Sequence, residues 1–217
     1  MTFFLLISTC YLIGAVPFGL LIPRLIRQID VRMYGSGNTG VTNVLRTLGV
    51  WPAVAVLILD VGKGSLAILM AKIMYQTPSL EVAAGLSVLI GHNWPIFLRF
   101  RGGKGVAAAI GSVYAISPLA GLIVTIAGLP FVAIFRYVSL GSIIGAITAL
   151  TSMIILATLV PSATLGVPSL IYILYPGIGV PIILLRHREN ISRLINGQER
   201  RLGESVDIRD SSMKASN

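Results

Sequence analysis

The sequence predicts an all-α protein, a polytopic membrane helix bundle of about seven transmembrane segments with its N-terminus outside and its C-terminus cytoplasmic. Three observations predict it. The 217 residues are 55% hydrophobic and only 12% charged, with a mean hydropathy of +0.87, whereas soluble domains carry about 25% charged residues. Apolar runs of spanning length recur along the chain. Basic residues collect in alternate turns: Arg24, Arg27, Arg32 and Arg46, then Arg99, Arg101 and Lys104, then Arg136, then Arg186, Arg188, Arg193, Arg200 and Arg201. The intervening turns Thr77-Pro78-Ser79, Ser117-Pro118 and Pro161-Ser162-Ala163-Thr164 hold none. Short cytoplasmic loops accumulate Lys and Arg, and short external loops do not.

The spans follow in order as 2–23, 50–73, 80–98, 106–116, 118–135, 143–160 and 168–185. The first has no Lys or Arg before Arg24, so it lacks the basic start of a cleavable signal peptide and reads as a retained span. Residues 106–135 must go out and return, at about 22 Å per arm, against a hydrocarbon core of ~30 Å. Either Ser117-Pro118 turns within the outer leaflet or the loops at the other end are drawn below the inner surface. One tilted span over 106–135 is the alternative, giving six crossings and an external Arg136. Seven is preferred because the later loops obey the charge rule only with the hairpin. Residues 1–202 form a single membrane-embedded domain, and 203–217 a polar, disordered cytoplasmic tail.

Composition also excludes classes of function. The lone Cys10 forms no internal disulfide, and Cys/His metal sites are absent. The net charge of +9 punctuates membrane spans instead of forming a solvated basic domain, which argues against nucleic acid.

Four polar stretches fall on the cytoplasmic side: GSGNTGVTNVLR (35–46), GHNWPIFLRFRGGKGVA (91–107), RYVSLGS (136–142) and HRENISRLINGQE (187–199). The first fits the dinucleotide spacing G-x-G-x-x-G, with Asp60 twenty residues beyond Gly40. That motif needs a βαβ unit, but Val31-Arg32-Met33-Tyr34 is too short and charged for a buried strand, and Asp60 lies in an apolar run. What remains is a glycine and hydroxyl loop suited to an anion. Ser36, Thr39, Thr42 and Asn43 have a plainer reading as helix caps, yet four in so short a stretch exceed one cap. Gly102-Gly103-Lys104-Gly105 resembles a phosphate-binding P-loop, but no Ser or Thr follows the lysine and Leu98 stands where the first glycine belongs. Lys104, fenced by glycines, is a phosphate contact, whereas Arg99 and Arg101 read as snorkelling to lipid headgroups.

Asp60 and Lys63 stand i, i+3 near mid-span and are expected to pair, a structural pair being favoured over a proton or ion pathway. His92 reads as a polar interfacial residue. His187 with Asn190 at i+3 is the better functional pair, and Glu189 with Arg193 looks like helix-surface support. Donors abound and acids are scarce, which is the inventory of an anion site.

These four stretches, in this order among hydrophobic spans, resemble the bacterial acyl-phosphate:glycerol-3-phosphate acyltransferase family, as does Asp60-Val61-Gly62-Lys63-Gly64. The likeness covers nearly all of residues 1–200. Val41 stands where alanine is usual in the family and Trp94 where phenylalanine is common; neither touches the polar chemistry. The resemblance implies transfer of a fatty acyl group from acyl phosphate to the 1-hydroxyl of glycerol 3-phosphate, giving lysophosphatidate and inorganic phosphate. This is the first acylation of phospholipid synthesis, in the bacterial inner membrane, with the active site on the cytoplasmic side. It further implies no cofactor and no metal, with membrane lipid as surroundings and a functional link to the enzyme that makes acyl phosphate. Carried over by residue, Ser36, Lys104, His187 and Asn190 are catalytic. Gly37, Asn38, Thr39, Gly40, Thr42 and Asn43 cradle the acyl phosphate, and Arg46, Gly102, Gly103 and Ser142 join the substrate-binding set.

An acyl phosphate is an activated anhydride, so proximity, charge neutralisation and an oxyanion pocket suffice. No His-x4-Asp pair follows either histidine, unlike the glycerophosphate acyltransferases that use thioester donors. A substrate phosphate oxygen is then the expected proton acceptor, with His187 a positioning group and general base its second reading. The competing class is a transporter or channel for a phosphorylated anion. It accounts for the spans but not for donors crowded on one face.

Reporter fusions test the topology: a fusion after Thr77 is expected to read external, and fusions after Arg101 or Asn217 cytoplasmic. A cytoplasmic signal after Thr77 overturns the orientation.

Overall fold

The computed structural model describes residues 2–161 and 168–204. Most of the turn beginning at Pro161 and most of the predicted tail lie outside the described residues. Among those described the chain is all helical, with no strand. The helices are α1 (Thr2–Ala15), α2 (Phe18–Arg27), α3 (Val41–Leu48), α4 (Val50–Tyr75), α5 (Pro78–Asn93), α6 (Val106–Ile116), α7 (Pro118–Phe135), α8 (Val138–Leu159), α9 (Leu174–Arg186) and α10 (Arg188–Ile195). Short 3-10 turns occupy Val31–Met33, Ile96–Leu98 and Leu170–Ile173.

Proline and left-handed caps set most boundaries. The first span is not continuous: Val16 precedes Pro17, a position that disfavours helix, so the chain breaks there and resumes as α2 to Arg27. Pro78 and Pro118 open α5 and α7, where a missing N–H costs nothing. Ser117 separates α6 from α7 and accepts from the Ala120 N–H at 3.3 Å, so 106–135 is two helices and not one tilted rod. Gln28, Gln76 and Arg136 end α2, α4 and α7 in the left-handed conformation.

Four helical stretches, Phe3–Arg27, Val50–Tyr75, Pro118–Phe135 and Val138–Leu159, are long and apolar enough to cross a membrane. The pair Leu170–Arg186 and Arg188–Ile195, bent by 61°, makes a fifth if counted as one span. α5 and α6 are shorter, at about 24 Å and about 16 Å by helical rise.

Lipid offers no hydrophobic drive between helices, so close packing and shared polar groups hold them together. The α4–α6 pair shows both. A Cβ on Gly64 would meet the Ala108 carbonyl oxygen at 2.0 Å, and one on Gly111 would meet the Val61 oxygen at 2.0 Å. Across that contact Ser65 Oγ donates to the Gly111 oxygen at 2.9 Å and Ser112 Oγ to the Gly64 oxygen at 3.2 Å. The largest apolar core lies beside this seam, built on Ile68, Val113, Met153 and Tyr175. The predicted Asp60–Lys63 pair forms at 2.7 Å, with Lys63 Nζ also donating to the Val16 oxygen at the α1–α2 break. His92 is not a lone interfacial residue: its Nδ1 lies 3.6 Å from Asp60 Oδ1. At the other end of α4 and α5, Lys72 donates to the Ala115 oxygen at 2.6 Å, and the Tyr172 hydroxyl donates to Glu81 at 2.7 Å.

Candidate active site

The polar stretches predicted on one face do meet, at the end of the bundle where α3, the α5–α6 loop, the start of α8 and the α9–α10 bend converge. The centre is a residue that sequence reading passed over. The Glu199 carboxylate is buried and accepts from Ser139 Oγ at 2.8 Å, Asn190 Nδ2 at 2.6 Å and Arg193 Nε at 2.8 Å. Burial pushes this carboxyl up, but the three donors hold it below the usual range overall. Arg193 therefore serves Glu199, and the expected surface pairing with Glu189 is replaced. The available signal was an acid in a stretch otherwise rich in donors, two residues past Gly197, whose φ of +67° turns the chain back.

Asn190 passes this order on. Its Oδ1 accepts a hydrogen bond from Lys104 Nζ. Burial, with further repulsion from Arg193 and Arg46 that Glu199 partly offsets, lowers Lys104 to about 8. The loop carrying Lys104 admits no side chain: a Cβ on Gly103 would meet His92 Nε2 at 2.2 Å. Gly102 and Gly103 donate their N–H groups to the Asn93 and His92 carbonyls, both at 3.2 Å. Arg186 clamps the same glycines, donating to the Gly103 and Gly102 carbonyls at 3.0 and 2.9 Å. These contacts of the two glycines hold Lys104 in place.

His187 is buried at the α9–α10 bend, and its Nδ1 donates to the Ile183 carbonyl at 2.8 Å. That bond fixes the neutral tautomer with a free acceptor at Nε2. Burial first, then the Lys104 charge, lowers its pKa to about 4, so it is neutral at pH 7.

The first loop is held by Asn43, whose side chain is consumed internally. Its Oδ1 accepts from the Ser36 N–H at 2.9 Å, and its Nδ2 donates to the carbonyls of Val31, Tyr34 and Asn38. Asn43 thus shapes the loop from within. The cap reading fails for the hydroxyls: Gly40 is the N-cap of α3, and no side chain caps that helix. Gly37 turns the loop at φ +69°, Asn38 donates to the Ser36 carbonyl at 3.3 Å, and Thr42 lies in the first turn of α3. Ser36 is exposed. Thr39 faces inward instead, lining a small polar cavity with Asp60, Lys63 and His92. Arg46, on α3, donates to the Arg200 carbonyl at 3.1 Å while its Nε is buried without a partner, a donor left for an anion.

Beside this cluster an apolar groove of about 170 Å³ lies between α5, α6, α7, α8 and α9. Val106, Val138 and Ile183 line it, and each adjoins a polar residue of the cluster or its helix start. Ser142, whose hydroxyl donates to the Val138 carbonyl at 2.8 Å, lines the groove one turn beyond Ser139. The site thus sets a donor-rich polar cluster beside an apolar groove.

Comparison with known proteins gives the family. The family described as glycerol-3-phosphate acyltransferase matches residues 4–197. The chain belongs to this family. Relatives named glycerol-3-phosphate acyltransferase include one from Synechococcus elongatus, 43% identical over 204 residues, covering 90% of this chain and 92% of that one. Another, from Thermoanaerobacter pseudethanolicus, is 41% identical over 199 residues, covering 92% and 95%. The fold is similar to the crystal structure of PlsY (YgiH), an integral membrane glycerol 3-phosphate acyltransferase, in its glycerol 3-phosphate form. The TM-score is 0.85 at 36% identity, with 94% of this chain and 96% of that one covered. Its lysophosphatidic acid form gives 0.82 at 35% identity, covering 94% and 97%. The protein is an integral membrane acyltransferase, and the transporter alternative gives way.

Two predictions follow from the geometry of the enzyme's site. Lys104 loses its charge as pH rises through about 8, so kcat/KM is expected to fall above that pH. In Lys104→Arg the fall moves up by at least about one unit, since guanidinium stays charged; a pH profile unchanged by that substitution refutes the assignment. Ser36→Ala is expected to leave the melting temperature unchanged and to cut turnover, because the hydroxyl caps no helix. Near-normal activity with lower stability by about 1 kcal/mol restores the cap reading.

Proposed function

We propose that the enzyme transfers a fatty acyl group from acyl phosphate to the sn-1 hydroxyl of glycerol 3-phosphate, releasing lysophosphatidate and inorganic phosphate. The single observation that carries the reading is the gathering of Lys104, His187 and the unpaired Arg46 donor beside an apolar groove, which Ile183, the carbonyl partner of His187, helps to line. Both substrates bear phosphate, and one bears a long alkyl chain.

In this reading Lys104 and Arg46 neutralise substrate phosphate, and the loop Gly37 to Asn43 cradles the acyl phosphate with Ser36 near the reacting carbonyl. Gly102 and Gly103 keep Lys104 in place, Asn190 orients it, and Ser142 borders the acyl chain. His187 Nε2 accepts a hydrogen bond from the attacking hydroxyl and aims it. The hydroxyl oxygen attacks the acyl carbonyl, the bond to phosphate breaks, and the proton leaves to a phosphate oxygen. A histidine whose pKa is about 4 is a weak base, which favours positioning over proton abstraction.

The arrangement is best served by a single membrane domain over residues 1–202, crossing about seven times with α5 and α6 as short spans, N-terminus out. The excess of Lys and Arg among the converging loops supports a cytoplasmic active site in a bacterial inner membrane. A working link to the enzyme supplying acyl phosphate follows from the lability of that donor.

Purified protein is expected to release phosphate from acyl phosphate only when glycerol 3-phosphate is present, and to turn over acyl-coenzyme A negligibly. Lys104→Ala is expected to lower kcat/KM roughly ten- to over a hundredfold, from about 1.5–3 kcal/mol of lost charge-assisted contact. Comparable rates with the thioester remove the proposed donor.

A further inference from the structure

Bordering the acyltransfer loops but lined by none of the residues assigned to the site, a second basic recess opens beside α2. It measures about 470 Å³ and is lined by Arg24, Arg32, Phe97, Arg99 and Arg101, with Leu20 and Leu98 in its floor. One wall is α2 with the Val31–Met33 turn, and the other is the turn after Ile96–Leu98. Asp30 partly neutralises the first wall: Arg32 donates to it at 2.6 and 2.9 Å, and Arg24 at 3.1 Å. On the facing wall Arg99 and Arg101 are exposed and make no side-chain hydrogen bond or ion pair among the described residues. The recess therefore carries uncompensated positive charge with free donors aimed from one side.

The turn that presents these donors is held at a conformational cost. Arg99 and Phe100 lie in succession in the left-handed region, at φ 50° and 62°, which residues with a Cβ disfavour. Backbone bonds from the N–H groups of Phe100 to Pro95 at 3.0 Å and of Arg101 to Leu98 at 3.1 Å maintain it. The turn carries Arg99, Phe100 and Arg101 in succession, all exposed. Phe97 and Phe100 are 61% and 57% exposed, and Leu25 and Ile26 on α2 are likewise exposed.

Exposed apolar side chains alternating with arginines, at the end of spanning helices, fit the boundary between acyl chains and headgroups. A soluble anion has no use for the apolar rim. We propose that this recess is a binding site for the phosphate headgroup of an anionic glycerophospholipid of the surrounding leaflet. The guanidinium groups of Arg99, Arg101 and Arg24 take the phosphate, and Phe97 and Phe100 rest against the lipid's glycerol and upper acyl chains. The recess borders the acyltransfer loops but uses none of the residues assigned to that centre.

The test uses full-length protein in a neutral detergent, with lipid binding read by native mass spectrometry and by melting temperature. Phosphatidylglycerol is expected to bind and raise the melting temperature, and phosphatidylcholine not to. Arg99→Gly keeps the backbone content, since glycine is at home at that φ, and removes one charge. Combined with Arg24→Gln, it is expected to weaken phosphatidylglycerol binding at least about tenfold while leaving acyl transfer in lipid-free detergent unchanged. Millimolar inorganic phosphate is expected not to compete. Equal binding of phosphatidylcholine, undiminished phosphatidylglycerol binding by the folded double variant, or displacement by inorganic phosphate would each overturn the proposal. The last would mark a site for free anions. Arg101→Gln provides an independent variant with the same expected loss if the double variant does not fold.

Discussion

The contact on which the rest of the molecule depends is the backbone approach of α4 to α6. Gly64 and Gly111 let each helix rest on the other's carbonyl groups, and Ser65 and Ser112 exchange hydrogen bonds across the seam. Any side chain at either glycine would push the helices apart. Because α6 begins two residues after Lys104, the depth of that seam also sets how far the 102–105 loop is drawn into the bundle. It explains why α6 is short: part of the length another span would use is taken by a buried loop at the polar end.

Polar groups sunk among apolar helices must satisfy one another, and this requirement organises the site more tightly than its basic charge would. Positive groups alone would repel and swing outward. Glu199 supplies the buried acceptor that gathers α8 and α10 and, through Asn190, fixes Lys104. Arg186 is used in the same manner, with its donors spent on glycine carbonyls instead of on lipid. The proposed substrates would then meet a preformed field, which suits the proposed acyl-phosphate donor because an activated donor needs placement above all.

Beneath the first loop, Asp60, Lys63 and His92 form a second buried polar group that reaches Val16 at the break in the first span and shares a cavity with Thr39. The break at Val16–Pro17 frees a carbonyl that Lys63 takes up. A charge pair at mid-span is thereby joined to both the loop that carries Ser36 and the loop that carries Lys104, since His92 Nε2 abuts Gly103.

By itself the sequence determined what repeats locally: helix type from apolar run length, most helix ends from proline and turn residues, and the gathering of four donor-rich stretches from the alternation of basic loops. It also singled out Lys104, His187 and Asn190, because glycine fencing and i, i+3 spacing are properties of neighbouring residues, and the Asp60–Lys63 pair for the same reason. What it left undecided depends on residues far apart in the chain. Whether Asn43 meets substrate or knots its own loop, whether His92 joins Asp60, and whether Arg193 turns to Glu189 or Glu199 are choices among partners that only packing brings within reach. Glu199 escaped notice since an isolated acid has no periodicity, and its role exists only where Ser139, Asn190 and Arg193 converge on it. The apolar groove was invisible for the same reason: each of its residues reads as an ordinary lipid-facing or core position until five helices are set side by side.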